Sequence, residues 1–207
     1  MTTSGIKASS ARDSTVKACG LTVFETAIGP CGLAWSGEAI VATALPEGDA
    51  AGTRQRLMRR VPEAVETSPP PAIAAARDRI IALLEGGRDD LGDVPLDMAA
   101  VPEFNRKVYA IARAIPPGET RTYGEIARRV GGLEQSRAVG MALGQNPFPI
   151  VVPCHRVLGA NGKAGGFSAD GGVETKLRML SIERAQTGSE PSLFAALPLA
   201  VAPKRRR

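Results

Sequence analysis

The sequence predicts an α+β fold: a small β-rich N-terminal α/β domain, then a mainly helical C-terminal domain carrying a helix-turn-helix and a cysteine-bearing strand. Three observations carry this prediction. Short apolar runs separated by Gly and Pro crowd residues 19–45, and helical apolar spacing dominates from Val101 onward. The β-branched run Ile150-Val151-Val152 then delivers Cys154 next to His155, the one histidine in 207 residues. The expected organisation is a disordered leader (1–17), a structural N-terminal domain (18–98), a C-terminal domain (99–186) and a flexible basic tail (187–207).

In chain order, Leu21-Thr22-Val23-Phe24, Cys31-Gly32-Leu33-Ala34-Trp35 and Ala39-Ile40-Val41-Ala42 read as consecutive strands, with Gly29-Pro30 marking a tight turn. Residues 53–60 form a basic helical segment. Pro69-Pro70-Pro71 breaks the chain before a helix from Ala72 to Glu85, on which Ile73, Ile80, Leu83 and Leu84 recur at helical spacing. Phe104, Val108, Ile111 and Ala112 stripe the next helix, which Pro116-Pro117-Gly118 ends. Thr122 is placed to cap a helix running to about Val130, and Glu125 completes a capping box. Gly131-Gly132-Leu133 turns the chain into a second short helix, from about Gln135 to Gly144. Two short helices joined by a Gly-containing turn make a helix-turn-helix. A Gly-rich loop, 162–172, precedes a last helix from about Val173 to Ala185.

Composition narrows the function classes. Hydrophobic residues make up 43% and aromatic residues 4%, so the core is built from Ala, Val, Leu and Ile. No apolar run reaches the roughly 20 residues that span a bilayer, and residues 1–17 lack a signal-peptide core. A cytoplasmic protein without membrane association is expected. Cys19, Cys31 and Cys154 are too few for a secreted disulfide framework. Without CxxC spacing, and with a single histidine, no metal site is expected. A net charge of +5 favours a polyanionic partner, and Lys204-Arg205-Arg206-Arg207 supplies four of the positive charges. The second helix, Ser136 to Gly144, is rich in small residues. Such residues let a backbone approach phosphates or enter a narrow groove, whereas a major-groove reader would carry more amides and cations.

Cys154 beside His155 is the chemical centre. Thiol chemistry needs a thiolate, and an imidazole can take the proton directly or through water. The bare pair is equally the signature of a buried strand cysteine. Ahead of it, Asn146-Pro147-Phe148-Pro149 forms a hinge in which a buried Asn can bond backbone groups on both sides.

Pro153-Cys154-His155-Arg156-Val157 resembles, at every position, the active-site signature of O6-alkylguanine-DNA alkyltransferases. The similarity runs from about Val101 to Glu183, through Gly118 to Ala127 and Asn146-Pro147. The resemblance implies direct, irreversible, stoichiometric transfer of an alkyl group from O6 of guanine in DNA to Cys154, without a cofactor. It implies that Glu183 orients His155, that His155 activates the thiol through water, and that Tyr123 hydrogen-bonds the purine and donates a proton to it. The carbonyls of Cys154 and Val157 would accept from the exocyclic amine. Arg137 would fill the stack vacated by the flipped nucleotide, with Ser136, Ala138, Gly140 and Tyr123 along the minor groove. Asn146, Pro149 and Ser168 would complete the substrate pocket, and Arg156 would tie loops together. The loop Gly165-Gly166-Phe167-Ser168-Ala169-Asp170-Gly171-Gly172 is longer than the Gly-Asn-Tyr-Ser-Gly-Gly run of better-known relatives. It is expected to soften the alkyl side of the pocket, opposite Pro149. The implied partner is double-stranded DNA containing O6-alkylguanine, met by a monomer with no obligate protein partner. Among the alternatives, a non-enzymatic helix-turn-helix damage sensor or regulator explains residues 123–144 but leaves the Cys-His pair idle. A Cys-His hydrolase explains the pair but not the helix-turn-helix. A non-catalytic relative would lack Cys154.

Overall fold

Alternating burial along the strands sets the architecture. Leu33 and Trp35 point into one apolar cluster, and the intervening Ala34 into another, so the N-terminal sheet is covered on both faces. The computed structural model describes residues 19–167 and 170–185. The expected leader, the basic tail and Ser168 lie outside the described residues. Strands β1 (Cys19–Phe24), β2 (Cys31–Ser36) and β3 (Ala39–Ala44) are antiparallel neighbours. The short β4 (Val65–Glu66) pairs parallel to β1, giving the order β3-β2-β1-β4. Gly20 pairs with Trp35, and the indole occupies the space where a Cβ on Gly20 would sit.

Helix α1 (Ala50–Arg60) packs Leu57 against one face, with Leu21, Ala34 and Ala42. Asp49 caps it, its carboxylate accepting from the Gly52 amide at 2.8 Å, so the helix starts earlier than the basic run alone suggests. Helix α2 (Pro71–Leu84) opens on proline, whose missing donor is harmless in a first turn. Its Ile73, Ile80 and Leu83 join the larger cluster, which continues into the C-terminal part through Val108, Tyr109, Val151, Val152 and Met179. The two parts also share hydrogen bonds. Thr43 donates its amide to Pro147 O at 2.9 Å and its hydroxyl to Pro149 O at 2.5 Å.

In the C-terminal part, α3 (Glu103–Arg113) buries Val108, Tyr109 and Ala112. The two-residue β5 (Arg121–Thr122) runs into α4 (Tyr123–Val130), and the Thr122–Glu125 capping box is present in both directions. A single 3-10 turn at Leu133–Gln135 leads to α5 (Ser136–Gly144), completing the helix-turn-helix. Helix α6 (Val173–Ile182) closes the described chain and stops with Glu183 at its C-cap, short of the expected Ala185. Among the described residues no helix is long and apolar enough to cross a membrane.

One local expectation differs. The fold class is as expected, but Cys154 does not sit on a strand: Cys154–Arg156 is one 3-10 turn, and the strand β6 (Val157–Leu158) follows it. Pro149 and Pro153 remove two amide donors that a ladder would need. Asn146 captures the Val152 carbonyl through Nδ2 and the Phe148 amide through Oδ1, each at 2.9 Å. Val151 and Val152 are therefore core residues outside any strand, Val152 making an isolated bridge with Pro149, and Ile150 is held at φ +78°, which a β-branched residue rarely adopts.

Candidate active site

Two motifs 31 residues apart meet because β5 pairs parallel to β6, Arg121 with Val157 and Thr122 with Leu158. Tyr123, directly after β5, thereby comes beside Cys154, which opens the 3-10 turn leading into β6. They line a small cavity of about 40 Å³ with Gly140, Leu143, Gly144, Gly166 and Phe167. Gly140 turns bare backbone towards the phenol, and a Cβ there would stand 3.9 Å from the Tyr123 ring. Burial raises the Tyr123 pKa, with the nearby Cys154 adding to it, so the phenol keeps its proton.

Beneath the cavity the 3-10 turn sends His155 and Arg156 into the core, both 0% exposed. His155 Nε2 lies 2.9 Å from Glu183 Oε1. Arg156 grips the same carboxylate, Nε at 2.9 Å from Oε2 and Nη2 at 2.7 Å from Oε1, and donates through Nη1 to Ile115 O at 2.7 Å. Burial alone would raise the Glu183 pKa, but hydrogen bonds from His155 and Arg156 hold it down to about 2. An ionised carboxylate only accepts, so the proton between the two groups belongs to His155 Nε2. Nδ1 is then the basic nitrogen of the ring, and it is buried with no protein partner. The arrangement fixes a tautomer as a metal-ligating or catalytic histidine requires.

Cys154 is held as a thiol. Burial raises its pKa, opposed by the Asn146 side chain and the charge of Lys176. Ionising it therefore needs a base. Cys31 is fully buried in the N-terminal core and pushed up to about 12, mainly by desolvation, so it is inert.

Lys176 is the residue that the sequence reading missed. It is 0% exposed, and its ammonium donates to Val157 O at 2.6 Å and stands 5.9 Å from both the Tyr123 and Phe167 ring centroids. Burial lowers its pKa, and Cys154 opposes the shift. The available signal was helical phase: Lys176 precedes Met179 and Leu180, on the inner face of α6, and the C-cap Glu183 by three, four and seven residues. A lysine in that phase is a buried group, not a surface charge.

The other expected residues divide. Val157 is fully buried with its carbonyl engaged by Lys176. Asn146 is 4% exposed and serves the hinge. Pro149 does not line the cavity and offers its carbonyl to Thr43 instead. Ser136 closes the turn before α5 by donating to Leu133 O at 2.6 Å. Arg137 is exposed on α5, with Ala138 half-buried beside it. The Gly-rich loop brings Phe167 to the cavity, and Gly171 and Gly172 have φ +76° and +51°. Asp170 ties the end of the loop to the N-terminal part by accepting from the Gly48 amide at 2.9 Å. A larger cavity of about 390 Å³, lined in part by Arg60, Asp97 and Asn105, contains neither Cys154 nor His155. Among the described residues no group of three or more His, Cys, Asp or Glu could hold a metal ion.

The coupled group makes a pH prediction. Burial holds His155 below its ordinary 6.5 against the opposing pull of Glu183, and Glu183 sits below its ordinary 4.5. Both folded values are depressed, so the unfolded chain binds these protons first. Their contribution to stability is complete above pH 6.5 and is lost as His155 protonates below that value. It falls again below pH 4.5, down to the folded value of about 2 for Glu183. Urea unfolding across this range should show stability falling in two stages. A flat profile between about pH 7 and 5 would contradict the His155 assignment.

Residues 103–185 match the family model described as the DNA-binding domain of 6-O-methylguanine DNA methyltransferase. A methylated-DNA--protein-cysteine methyltransferase of Mycolicibacterium paratuberculosis is 43% identical over 128 residues, covering 62% of this chain and 75% of that protein. The crystal structure of Mycobacterium tuberculosis O6-methylguanine methyltransferase superposes with a TM-score of 0.65 at 33% identity, over 85% of this chain and 99% of that one. A Mycobacterium tuberculosis OGT crystallised in complex with DNA gives a TM-score of 0.60 at 32% identity, over 81% of this chain and 96% of that one. With fold and sequence in agreement, the chain belongs to the O6-methylguanine-DNA methyltransferase family, the methylated-DNA--protein-cysteine methyltransferases.

Proposed function

We propose that Cys154 accepts the alkyl group from O6 of guanine in double-stranded DNA, in one irreversible displacement by a cytoplasmic monomer. The observation that carries this reading is the His155–Glu183 pair, which leaves Nδ1 as the base for a thiol that burial keeps protonated. The thiol proton passes to Nδ1, directly or through one water. Sulfur attacks the alkyl carbon, and the carbon–O6 bond breaks with its electron pair going to guanine. Guanine leaves neutral after taking a proton from the Tyr123 hydroxyl. Lys176, close to the Tyr123 ring face, stabilises the phenolate that forms. Val157 and Cys154 present backbone carbonyls for the exocyclic amine, and Lys176 fixes the direction of the first. The product is a thioether, which the site has no means to hydrolyse.

Labelled O6-methylguanine in a duplex tests the acceptor. Label should be found on the Cys154 peptide, and Cys154→Ala should bind DNA without transfer. Label on Cys19 or Cys31 would overturn the assignment.

The target base must leave the stack to reach the cavity, and the Gly140 and Gly144 backbone gives it a path along α5. Arg137, exposed on that helix, fills the space left behind. Arg137→Ala should slow repair in a duplex much more than repair of free O6-methylguanine base, because only the duplex requires extrusion. Equal losses on the two substrates would reduce Arg137 to a folding or phosphate contact.

A further inference from the structure

Among the described residues, six large apolar side chains are substantially exposed, and one of them, Met141 at 60%, lies on α5. A helix advances about 100° per residue. Buried Val139, Ala142 and Leu143 therefore define the inner side of α5, while Arg137 and Met141, four residues apart, share the outer side. Gly140 and Gly144, which line the Cys154 cavity, fall on one flank of Arg137, and Met141 falls on the other. Read around the helix, the outer face runs from cavity to bare backbone, then to Arg137, then to methionine.

We propose that Met141 is an apolar wedge that packs against the sugar edges of the undamaged strand in the minor groove and so biases the target nucleotide to swing towards the cavity. The proposal rests on the reading of α5 as the helix that faces DNA. Three observations support it. Met141 is too exposed to be core, so core packing does not account for an apolar side chain there. The helix-turn-helix also exposes Arg128, Arg129 and Arg137, so the surface around it is charged to suit phosphate. The two flanks of Arg137 differ in the sense a directed flip requires, with glycine backbone open on the cavity side and a side chain blocking the far side. Proteins that open the minor groove use such side chains as wedges, and an unbranched thioether adapts to whatever sugar or base edge it meets.

The test compares repair rates on three O6-methylguanine substrates, duplex DNA, single-stranded DNA and the free base, for the unaltered chain and four variants. Met141→Gln should lower the ratio of duplex to free-base rate about tenfold, the scale of one lost apolar contact. Met141→Leu should restore most of that ratio. Leu177→Gln removes an exposed apolar side chain from α6 and should leave all three rates as they were. An unchanged ratio for Met141→Gln overturns the proposal. So does a loss shared equally by all three substrates, or a change confined to oligomeric state, which would assign the methionine to a second protein copy. Arg137→Ala separates the two levels. If it spares duplex repair, the reading of α5 as the DNA-facing helix fails. If it impairs duplex repair while Met141→Gln does not, only the wedge fails.

Discussion

His155→Ala should slow alkyl transfer to Cys154 by about 10²–10⁴-fold, the usual worth of a positioned general base. The effect is on the chemical step. Cys154 rests as a thiol because burial disfavours the anion, and Nδ1 is the basic atom that the geometry leaves free. Glu183→Gln should give a related loss, because an amide can no longer act only as an acceptor and so no longer dictates which imidazole nitrogen carries the proton. The double variant should be little worse than His155→Ala alone, since the two groups act as a unit. Single-turnover rates on methylated duplex, with thermal melts to show that each variant is folded, make the measurement. A folded His155→Ala protein with wild-type rate would mean that the thiol is ionised by another route.

Arg156→Met should instead be a stability variant, losing about 3–5 kcal/mol, the range for breaking a buried ion pair from one side. Arg156 is fully buried and donates to both oxygens of Glu183 and to Ile115 O. Its removal leaves a carboxylate in the core with His155 as its remaining partner. His155, whose own charging is disfavoured by burial, cannot neutralise that charge. Denaturant melts should show the midpoint falling with the slope unchanged. Residual folded protein should still transfer the alkyl group, because the Glu183–His155 bond does not depend on the guanidinium. A neutral effect on stability would show that the carboxylate is solvated or protonated in the folded state.

Much of this was legible in the sequence for local reasons. The Thr122–Glu125 capping box, the Gly-containing turn after Val130 and the helix that follows the proline run 69–71 are chemical signals contained within a few residues, and each is present in the structure, with Pro71 itself opening the helix expected from Ala72. The Cys-His pair stands in the signature motif and the distant Glu183 follows from the family resemblance, and the structure brings His155 and Glu183 within hydrogen-bonding distance. What escaped depended on tertiary context. The β-branched run at 150–152 reads as a strand by propensity, but Asn146 and two prolines spend its backbone groups on a turn. Lys176 stands out only when its phase with Met179 and Glu183 is followed down α6. Pro149, expected at the cavity wall, does not line the cavity, and its backbone carbonyl accepts from Thr43 in an inter-part hydrogen bond that no local pattern encodes. Leu143 and Gly144, from the helix-turn-helix, line the cavity instead.

Consumption of Cys154 by the repair it performs is tested most directly by the amount of transfer. A known quantity of protein, incubated to completion with excess duplex carrying labelled O6-methylguanine, should take up one methyl group per molecule and then stop. The loss of substrate should equal the label found on Cys154. Continued release of guanine beyond that amount, with unmodified protein remaining, would contradict the account and make the Cys154–His155–Glu183 group a turnover catalyst.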